Sequence, residues 1–467
     1  MALTIYSTLT NSKQEFIPQE AGKISMYVCG MTVYDYCHLG HARVLVAFDV
    51  ITKYLRSSGF DVNYVRNITD IDDKIINRAN ENGEKFNALT ERFIGHMHED
   101  EKALGVARPD MEPRATNHIG DIIAMTEVLI EKGYAYACDN GDVYYRVAKF
   151  EGYGKLSNKN PDELLAGARI ETGDIKEDPR DFALWKSAKA DDVSWPSPWG
   201  PGRPGWHIEC SAMTKCCVGD TFDIHGGGPD LPFPHHENEI AQSEAANDKE
   251  FARYWMHAGA VRVDGEKMSK SLGNFFTIRE ILDKYHREVV RYVLVRSHYR
   301  SAINYSEENL KTAKVELDRL YTGLRGYDDV EVLALDQLPQ GNRYVKAFTE
   351  AMDDDFNTAL AISVLFESVR ELNSATANKA ADASEQAQIL KSLGSVLGLL
   401  AENVEDYMQA GLSDAGLSAD AIEALIAERI QSKKDKNFQR ADEIRDELKE
   451  QGVVLEDGAG GTTWRRD

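Results

Sequence analysis

Residues 24–67 constrain the fold more than any other part of this chain. A short apolar, β-prone run (Ile24 to Cys29) meets a turn containing Gly and His. Apolar residues then recur at helical spacing (Val44, Ala47, Phe48, Ile51, Tyr54, Leu55), which predicts a helix from about His41 to Ser58, with Gly59 as the stop. Asp61 to Asn67 reads as a second strand. Strand, turn, helix and strand in that order open a doubly wound, Rossmann-like parallel sheet, so the fold class is α/β. In such sheets a ligand sits beyond the strand ends, facing a helix N-terminus.

A chain of 467 residues exceeds what one core usually organises, so several domains are expected. The Rossmann-like catalytic domain is assigned to residues 1–116 and 202–250. Between them, 117–201 reads as a connective insertion, with two helical stretches around a polar Gly/Asp-rich stretch. The cluster from Trp195 to Gly202 marks re-entry. Residues 251–304 follow as a region built around the loop of Lys267 to Ser271. Residues 305–416 form a helix bundle, in which Leu310, Ala313, Leu317, Leu320 and Leu324 keep one apolar stripe. The last unit, 417–467, is small and mixed α/β, with one amphipathic helical region (about Ala421 to Gln451), a short strand at Val453 to Leu455, and a Gly-rich turn into Thr462-Thr463-Trp464-Arg465.

Composition narrows the function. At 42% hydrophobic residues the chain can bury a core, which excludes wholesale disorder. No apolar run reaches about 18 residues, so no membrane span is expected. The N-terminus shows no basic region followed by an apolar core, so a cytoplasmic protein is expected; a monomer is expected as well, without a sequence feature that argues it. In that reducing setting six cysteines point away from disulfides and toward metal for a subset. The formal charge of −23 excludes a surface coated in basic patches. RNA contact remains compatible with it if local and salt-sensitive.

Three motifs carry chemistry. Cys37-His38-Leu39-Gly40-His41 lies between the first strand and the first helix, where two imidazoles can donate to phosphate oxygens that gain charge. Gly40 leaves room for a flat ring against the backbone. Lys267-Met268-Ser269-Lys270-Ser271 lies between Gly265 and Gly273, and two lysines on such a loop suit a triphosphate that is held and then released. Singly, either motif is compatible with an ordinary loop. Together they resemble the paired motifs of class I aminoacyl-tRNA synthetases. The third constellation is Cys29, Cys210 and His235-His236-Glu237-Asn238-Glu239. His235 and Glu239 are four apart, on one face if helical, and with two thiolates would make a tetrahedral zinc set. Spacing alone leaves Cys29 and Cys210 readable as buried thiols. Cys216-Cys217 is a competing ligand source, but adjacent cysteines rarely both reach one ion, so these two, Cys37 and Cys138 are assigned to packing.

The resemblance becomes specific in Tyr27-Val28-Cys29-Gly30-Met31-Thr32-Val33-Tyr34-Asp35, in Gly205-Trp206-His207-Ile208-Glu209-Cys210-Ser211, and in Asp223-Ile224-His225-Gly226-Gly227-Gly228 running through Asp230 to H-H-E-N-E. These segments resemble cysteinyl-tRNA synthetases, over essentially the whole chain from Tyr27 to Arg465. Many members have Pro at the position of Met31 and Ile at that of Leu39, and neither difference removes a polar group. The resemblance implies one zinc held by Cys29, Cys210, His235 and Glu239, touching the substrate thiol. It also implies Thr69, Trp206, His225 and Asp230 around the amino acid, and a stem-contact region in residues 251–304. Catalytic roles fall to His38, His41, Lys267 and Lys270, with Gly40, His41, Lys267, Ser269 and Lys270 at ATP and its Mg²⁺. L-cysteine, ATP and tRNA(Cys) are the implied partners, and Trp464 is expected to stack on a tRNA base. Amino-sugar ligases sharing the catalytic domain lack the T-T-W-R unit. A decayed, non-catalytic relative would have lost one of the motifs.

Overall fold

The computed structural model describes residues 2–159, 175–189, 192–268, 273–410, 417–458 and 461–466, without the Lys267 side chain. The chain opens with a hairpin of β1 (Thr4–Ser7) and β2 (Ser12–Glu15). The expected unit follows as β3 (Lys23–Val28), α1 (Leu39–Ser57) and β4 (Asp61–Arg66). Gly59, at φ +90, allows the reversal after α1. Almost every face of α1 is buried, including Arg43 and Asp49. The apolar stripe therefore understates its burial, because a second layer of helices covers the face away from the sheet.

Two helices, α2 (Asp73–Asn82) and α3 (Phe86–Ala103), precede the insertion. The insertion differs from expectation. After α4 (Ile119–Glu131) come four antiparallel strands in sequential order: β5 (Ala135–Ala137), β6 (Val143–Tyr145), β7 (Phe182–Ser187) and β8 (Gly202–Pro204). Strands of three residues give no readable period, and β8 reaches past the expected boundary. The central part of the expected polar stretch, residues 160–174, lies outside the described residues.

The main sheet resumes through α5 (Trp206–Cys217), β9 (Phe222–Gly227), α6 (Glu237–Asn247) and β10 (Ala252–His257). Its four strands are all parallel, in the order β10-β9-β3-β4. The chain winds outward both ways from the adjacent pair β3 and β9. That pair is the topological switch point, beyond whose carboxyl ends doubly wound folds bind ligands.

A small sheet of β11 (Val261–Val263), β12 (Glu266–Lys267) and β13 (Ile303–Tyr305) encloses α7 (Ile278–Leu282) and α8 (Arg287–Val295) in sequence. The bundle comprises α9 (Glu307–Gly323), α10 (Arg343–Asp353), α11 (Thr358–Ala377), α12 (Ala383–Val396) and the short α13 (Val404–Gln409). All five stripe residues from Leu310 to Leu324 are buried.

The terminal unit holds α14 (Ala419–Lys434), α15 (Phe438–Glu450) and a hairpin of β14 (Val453–Gly458) with β15 (Gly461–Arg466). The single helix expected here is two. Lys436 takes φ +58 and Asn437 caps α15, which breaks the run. The T-T-W-R segment lies in strand β15. Trp464 also departs from expectation: it is 1% exposed, packs with Ile422, Ile426, Ile444, Leu448 and Val453, and donates to Glu423 Oε1 at 2.7 Å. An indole that forms the core of a unit this small has no face left for a base. Among the described residues no helix is long and apolar enough to cross a membrane.

Candidate active site and metal centre

Cys29 leaves β3 at the switch point, and its amide donates to Gly226 O of β9 at 3.0 Å. Gly30 must follow, because a Cβ there would lie 1.7 Å from Asn67 O. The second turn of α5 brings in Cys210, while His235 and Glu239 come from the start of α6 and the turn before it. Cys29 Sγ is 3.7 Å from Cys210 Sγ, 3.6 Å from His235 Nε2 and 3.2 Å from Glu239 Oε1, and His235 Nε2 is 3.1 Å from that oxygen. A tetrahedron with zinc–ligand bonds of 2.0–2.3 Å has edges of about 3.3–3.8 Å, so these separations fit one zinc ion. All four residues are buried. A second overlapping set, Cys29, His225, His236 and Glu239, also brings its donors together. It holds one sulfur instead of two, and His225 Nε2 already bonds the other Glu239 oxygen at 2.8 Å. His225 thus lies behind the first quartet, bonded to the Glu239 oxygen that faces away from Cys29.

The electrostatics favour a cation. Burial alone would neutralise His235, yet Glu239 and Cys210 raise its pKa to about 10. Burial works against the Glu239 carboxylate too, but His225 and His235 hold it well below its usual range. The Cys29 thiol, donating to Cys210, lowers the latter to about 6 against burial. Burial and the neighbouring Cys210 push Cys29 itself up. Glu239 and Cys210 are thus favoured as anions beside His235 while Cys29 keeps its proton, and a divalent cation bound there would deprotonate a coordinating thiol outright.

Outer partners complete the cluster. His207 Nδ1 lies 2.9 Å from His235 Nδ1. His236 Nδ1 lies 2.8 Å from His257 Nε2, whose other nitrogen meets Thr8 Oγ1 at 2.8 Å. Sequence reasoning missed His207, His236 and His257. The pairs Trp206-His207 and His235-His236 flanked the chosen residues, whereas His257 carries no local signal. Glu237 and Asn238 of the same motif turn out to hold the insertion. Glu237 accepts from the amides of Gly154 and Ser157, each at 2.9 Å, and Asn238 accepts from Tyr153.

The turn before α1 is a reciprocal cap. His38 Nδ1 accepts from the Gly40 and His41 amides at 3.0 and 3.4 Å, and His41 Nδ1 accepts from the His38 amide at 3.3 Å. Because each Nδ1 is an acceptor, each ring carries its proton on Nε2. The rings stack at 3.7 Å. Burial, then His38, lowers the His41 pKa well below its ordinary value, so this ring is a neutral donor. The flat ring crossing Gly40 is that of His38, whose Cε1 would lie 2.8 Å from an added Cβ. Gly40 thus permits the cap itself, a reason not foreseen. The Leu39 amide donates to Phe276 O and the Ile278 amide to Cys37 O, so the segment after the lysine loop is zipped onto this turn. Ser269 and Lys270, like the side chain of Lys267, lie outside the described residues.

The remaining expectations scatter. Thr69 is buried beside the chain leaving Cys29, its amide donating to Met31 O at 3.2 Å. Trp206 is 38% exposed and its ring lies 4.2 Å from that of His235, at the rim of the ligand set. His225 is fully buried, beneath Glu239 and stacked on Trp255 at 4.4 Å, which leaves it no open face. Asp230 is exposed on the turn after β9. Cys37 packs in the core as expected, but Cys216 is exposed and Cys217 half-buried, since the end of α5 faces outward, and Cys138, just after β5, is half-buried too. In the terminal unit the exposed aromatic is Phe438, at 63%, just after Lys433, Lys434 and Lys436.

Comparison with known proteins agrees with this architecture. A family model of class I (C) tRNA synthetase catalytic domains matches residues 15–315, a DALR domain model matches 347–401, and a model of the cysteinyl-tRNA ligase anticodon binding domain matches 414–465. Mycobacterium tuberculosis methionyl-tRNA synthetase bound by methionyl-adenylate shares the fold, with TM-score 0.58 at 16% identity over 80% of this chain and 90% of that one. The fold and its matched catalytic domain define a class I aminoacyl-tRNA synthetase. The cysteine–tRNA ligases of Ectopseudomonas mendocina and Stutzerimonas stutzeri are 63% and 61% identical over 465 residues, covering 100% of this chain and 99% of theirs. The chain belongs to the cysteine–tRNA ligase family.

Proposed function

We propose that this enzyme activates L-cysteine with ATP, transfers it to the 3′ end of tRNA(Cys), and selects its amino acid through one zinc ion. The observation that carries the metal reading is the buried quartet of Cys29, Cys210, His235 and Glu239, with edges matching a zinc tetrahedron. Zinc held there would deprotonate a coordinated thiol and prefer sulfur to a hydroxyl oxygen. Shape alone separates near-isosteric serine from cysteine poorly, so a sulfur-selective pocket removes the need for editing. Trp206 borders this pocket and Thr69 lies beside Cys29; both serve to position the amino acid, together with Asp230.

In the first step a cysteine carboxylate oxygen attacks the α-phosphorus of ATP in line, and the bond to the pyrophosphate oxygen breaks. His38 and His41 donate through Nε2–H to the departing phosphates, joined by Lys267 and Lys270; Mg²⁺ accompanies the ATP. A ribose hydroxyl at the tRNA 3′ end then attacks the adenylate carbonyl, releasing AMP. No protein nucleophile is required, so positioning and preorganised donors carry the rate. Elemental analysis tests the metal, with about one zinc per chain expected. Pyrophosphate exchange with a panel of amino acids tests the substrate, with cysteine alone giving strong exchange. Metal-free protein with full cysteine activity would overturn the reading.

For residues 417–467 we propose anticodon reading through Phe438 rather than Trp464. Phe438→Ala weakens tRNA binding by about 1–3 kcal/mol, the usual worth of one stacked base, and leaves pyrophosphate exchange unchanged. Trp464→Ala acts differently. Emptying this small core costs about 3–5 kcal/mol, so residues 417–466 lose hydrogen-exchange protection and tRNA KM rises in consequence. Retained protection in Trp464→Ala alongside a raised KM would return the stacking role to Trp464.

A further inference from the structure

The turn between α10 and α11 joins the two halves of the molecule through three consecutive aspartates. Asp353 Oδ1 accepts from the Tyr54 hydroxyl of α1 at 2.6 Å. Asp354 pairs with Lys13 of β2 at 2.5 Å. Asp355 is fully buried and collects the most partners. Its Oδ1 accepts from the Tyr6 amide and from the Tyr299 hydroxyl, each at 2.9 Å. Its Oδ2 receives the Arg300 guanidinium at 2.7 and 2.8 Å. Its own amide donates to Thr4 O at 2.9 Å. Asp355 and Phe356 both take left-handed backbone, at φ +59 and +53. Two such residues in succession, neither of them glycine, store strain that only dense surrounding contacts can hold.

What Asp355 grips leads toward the active site by two routes. The loop carrying Tyr299 and Arg300 is held from its other side by Arg43 of α1, buried and bonded to Leu294 O, His298 O, Tyr299 O and Ser301 O. Arg43 lies two residues after His41, so this loop is fixed to the helix whose N-terminus carries the paired histidines. The hairpin strand β1 forms the second route. Thr8, next after it, bonds His257, which bonds His236 beside the metal set. On the bundle side the terminal unit is attached through Arg325 to Glu456 at 2.7 Å and Lys314 to Arg466 O at 2.8 Å.

We infer that Asp355 is a positioning residue for the transfer half-reaction, fixing the bundle and the terminal unit it carries relative to the adenylate site. This rests on the reading that the terminal unit holds tRNA. Adenylate formation uses groups on the catalytic side only and does not need that alignment. Transfer does, because the tRNA 3′ end must arrive at the adenylate while the far end of the tRNA is held on the bundle side. Errors near 1 Å in such placement cost on the order of 10²-fold. Loosening this joint therefore lowers the transfer rate at saturating tRNA and changes tRNA KM less, the opposite split from loss of a binding contact such as Phe438.

The test uses Asp355→Asn, which keeps the side-chain shape and removes the charge, and Arg300→Gln, which releases the same ion pair from a part-exposed position. In both, cysteine-dependent pyrophosphate exchange is expected within about twofold of wild type, while single-turnover transfer from bound adenylate falls about tenfold or more. Arg300→Lys restores most of the transfer rate. Parallel loss of exchange and transfer in Arg300→Gln would make the turn a general brace of the fold and overturn the inference, as would unchanged transfer. If Asp355→Asn does not fold, Arg300→Gln decides. If Phe438→Ala leaves tRNA binding intact while these variants still slow transfer, the Phe438 contact fails, while the terminal unit's hold on tRNA and the positioning role stand.

Discussion

Cys29→Ser is expected to abolish zinc retention and lower cysteine-dependent pyrophosphate exchange by more than about 10²-fold, with the KM for ATP little changed. The lower bound follows from outer-shell partners, whose loss already costs about 10–100-fold in metal affinity or activity. A ligand that also closes the tetrahedron costs more. Serine is nearly isosteric but offers a hard, poorly ionised oxygen, and the remaining donors then enclose an ill-matched site. Glu239→Gln tests charge at constant shape. It removes the anion that both His225 and His235 face, so metal affinity falls steeply. His225→Asn gives the graded control: it leaves the four ligands and removes only the partner of Glu239 Oε2, for an intermediate loss of about 10–100-fold. The ATP site provides the internal check, because the paired histidines are capped by their own turn and not by the metal cluster. Zinc content, exchange rate and ATP KM measured on the same preparations decide the matter. Full exchange in Cys29→Ser protein free of metal would sink the zinc assignment.

Lys270→Ala and His41→Ala are each expected to slow adenylate formation by about 10²–10³-fold, the cost of one transition-state donor, with cysteine KM nearly unchanged. The lysine motif is bracketed by Gly265 at φ +84 and Gly273 at φ +68, left-handed positions that glycine takes without strain. His41 has a second task, since its Nδ1 accepts the His38 amide in the helix cap. Removing a cap acceptor costs about 0.5–2 kcal/mol, so His41→Ala also destabilises. His41→Asn separates the two effects, because its side-chain oxygen can accept that amide bond while the ring donor is gone. Normal melting with a slow rate in His41→Asn assigns the loss to the transition state. The ring stays neutral across about pH 6–8, because burial holds its pKa well below the ordinary value, so its ionisation puts no inflection in the rate over that interval. A wild-type exchange rate in Lys270→Ala would show the loop to be merely solvated.

The parallel sheet and its first helix were legible because their signals are local and long. Nineteen residues of α1 repeat an apolar pattern between a turn and Gly59, and the Leu310 to Leu324 stripe marks α9 in the same way. The four antiparallel strands of the insertion were not, since β5, β6 and β8 have three residues each, too few for a readable period, and β6 pairs with β7 across the long stretch between Tyr145 and Phe182. The break at Lys436 escaped notice for a related reason. A single left-handed residue interrupts a run whose composition is helical throughout.

By itself the sequence determined the fold class, the two phosphate motifs, and the residue types capable of holding zinc. These depend on periodicity and on donor chemistry, which are written residue by residue. Only the tertiary structure decided which donors meet. Cys29 and Glu239 are 210 positions apart and 3.2 Å apart in space, because β3 and β9 pair at the switch point. It also decided against Trp464 as a stacking surface, since a hairpin folding over two helices buries the indole and leaves Phe438 outside. In the sequence, Asp353 to Asp355 are simply three adjacent acidic residues. Their partners on α1, β2 and the loop before β13 are 55 to 341 positions away, and burial among them turns three ordinary charges into a joint.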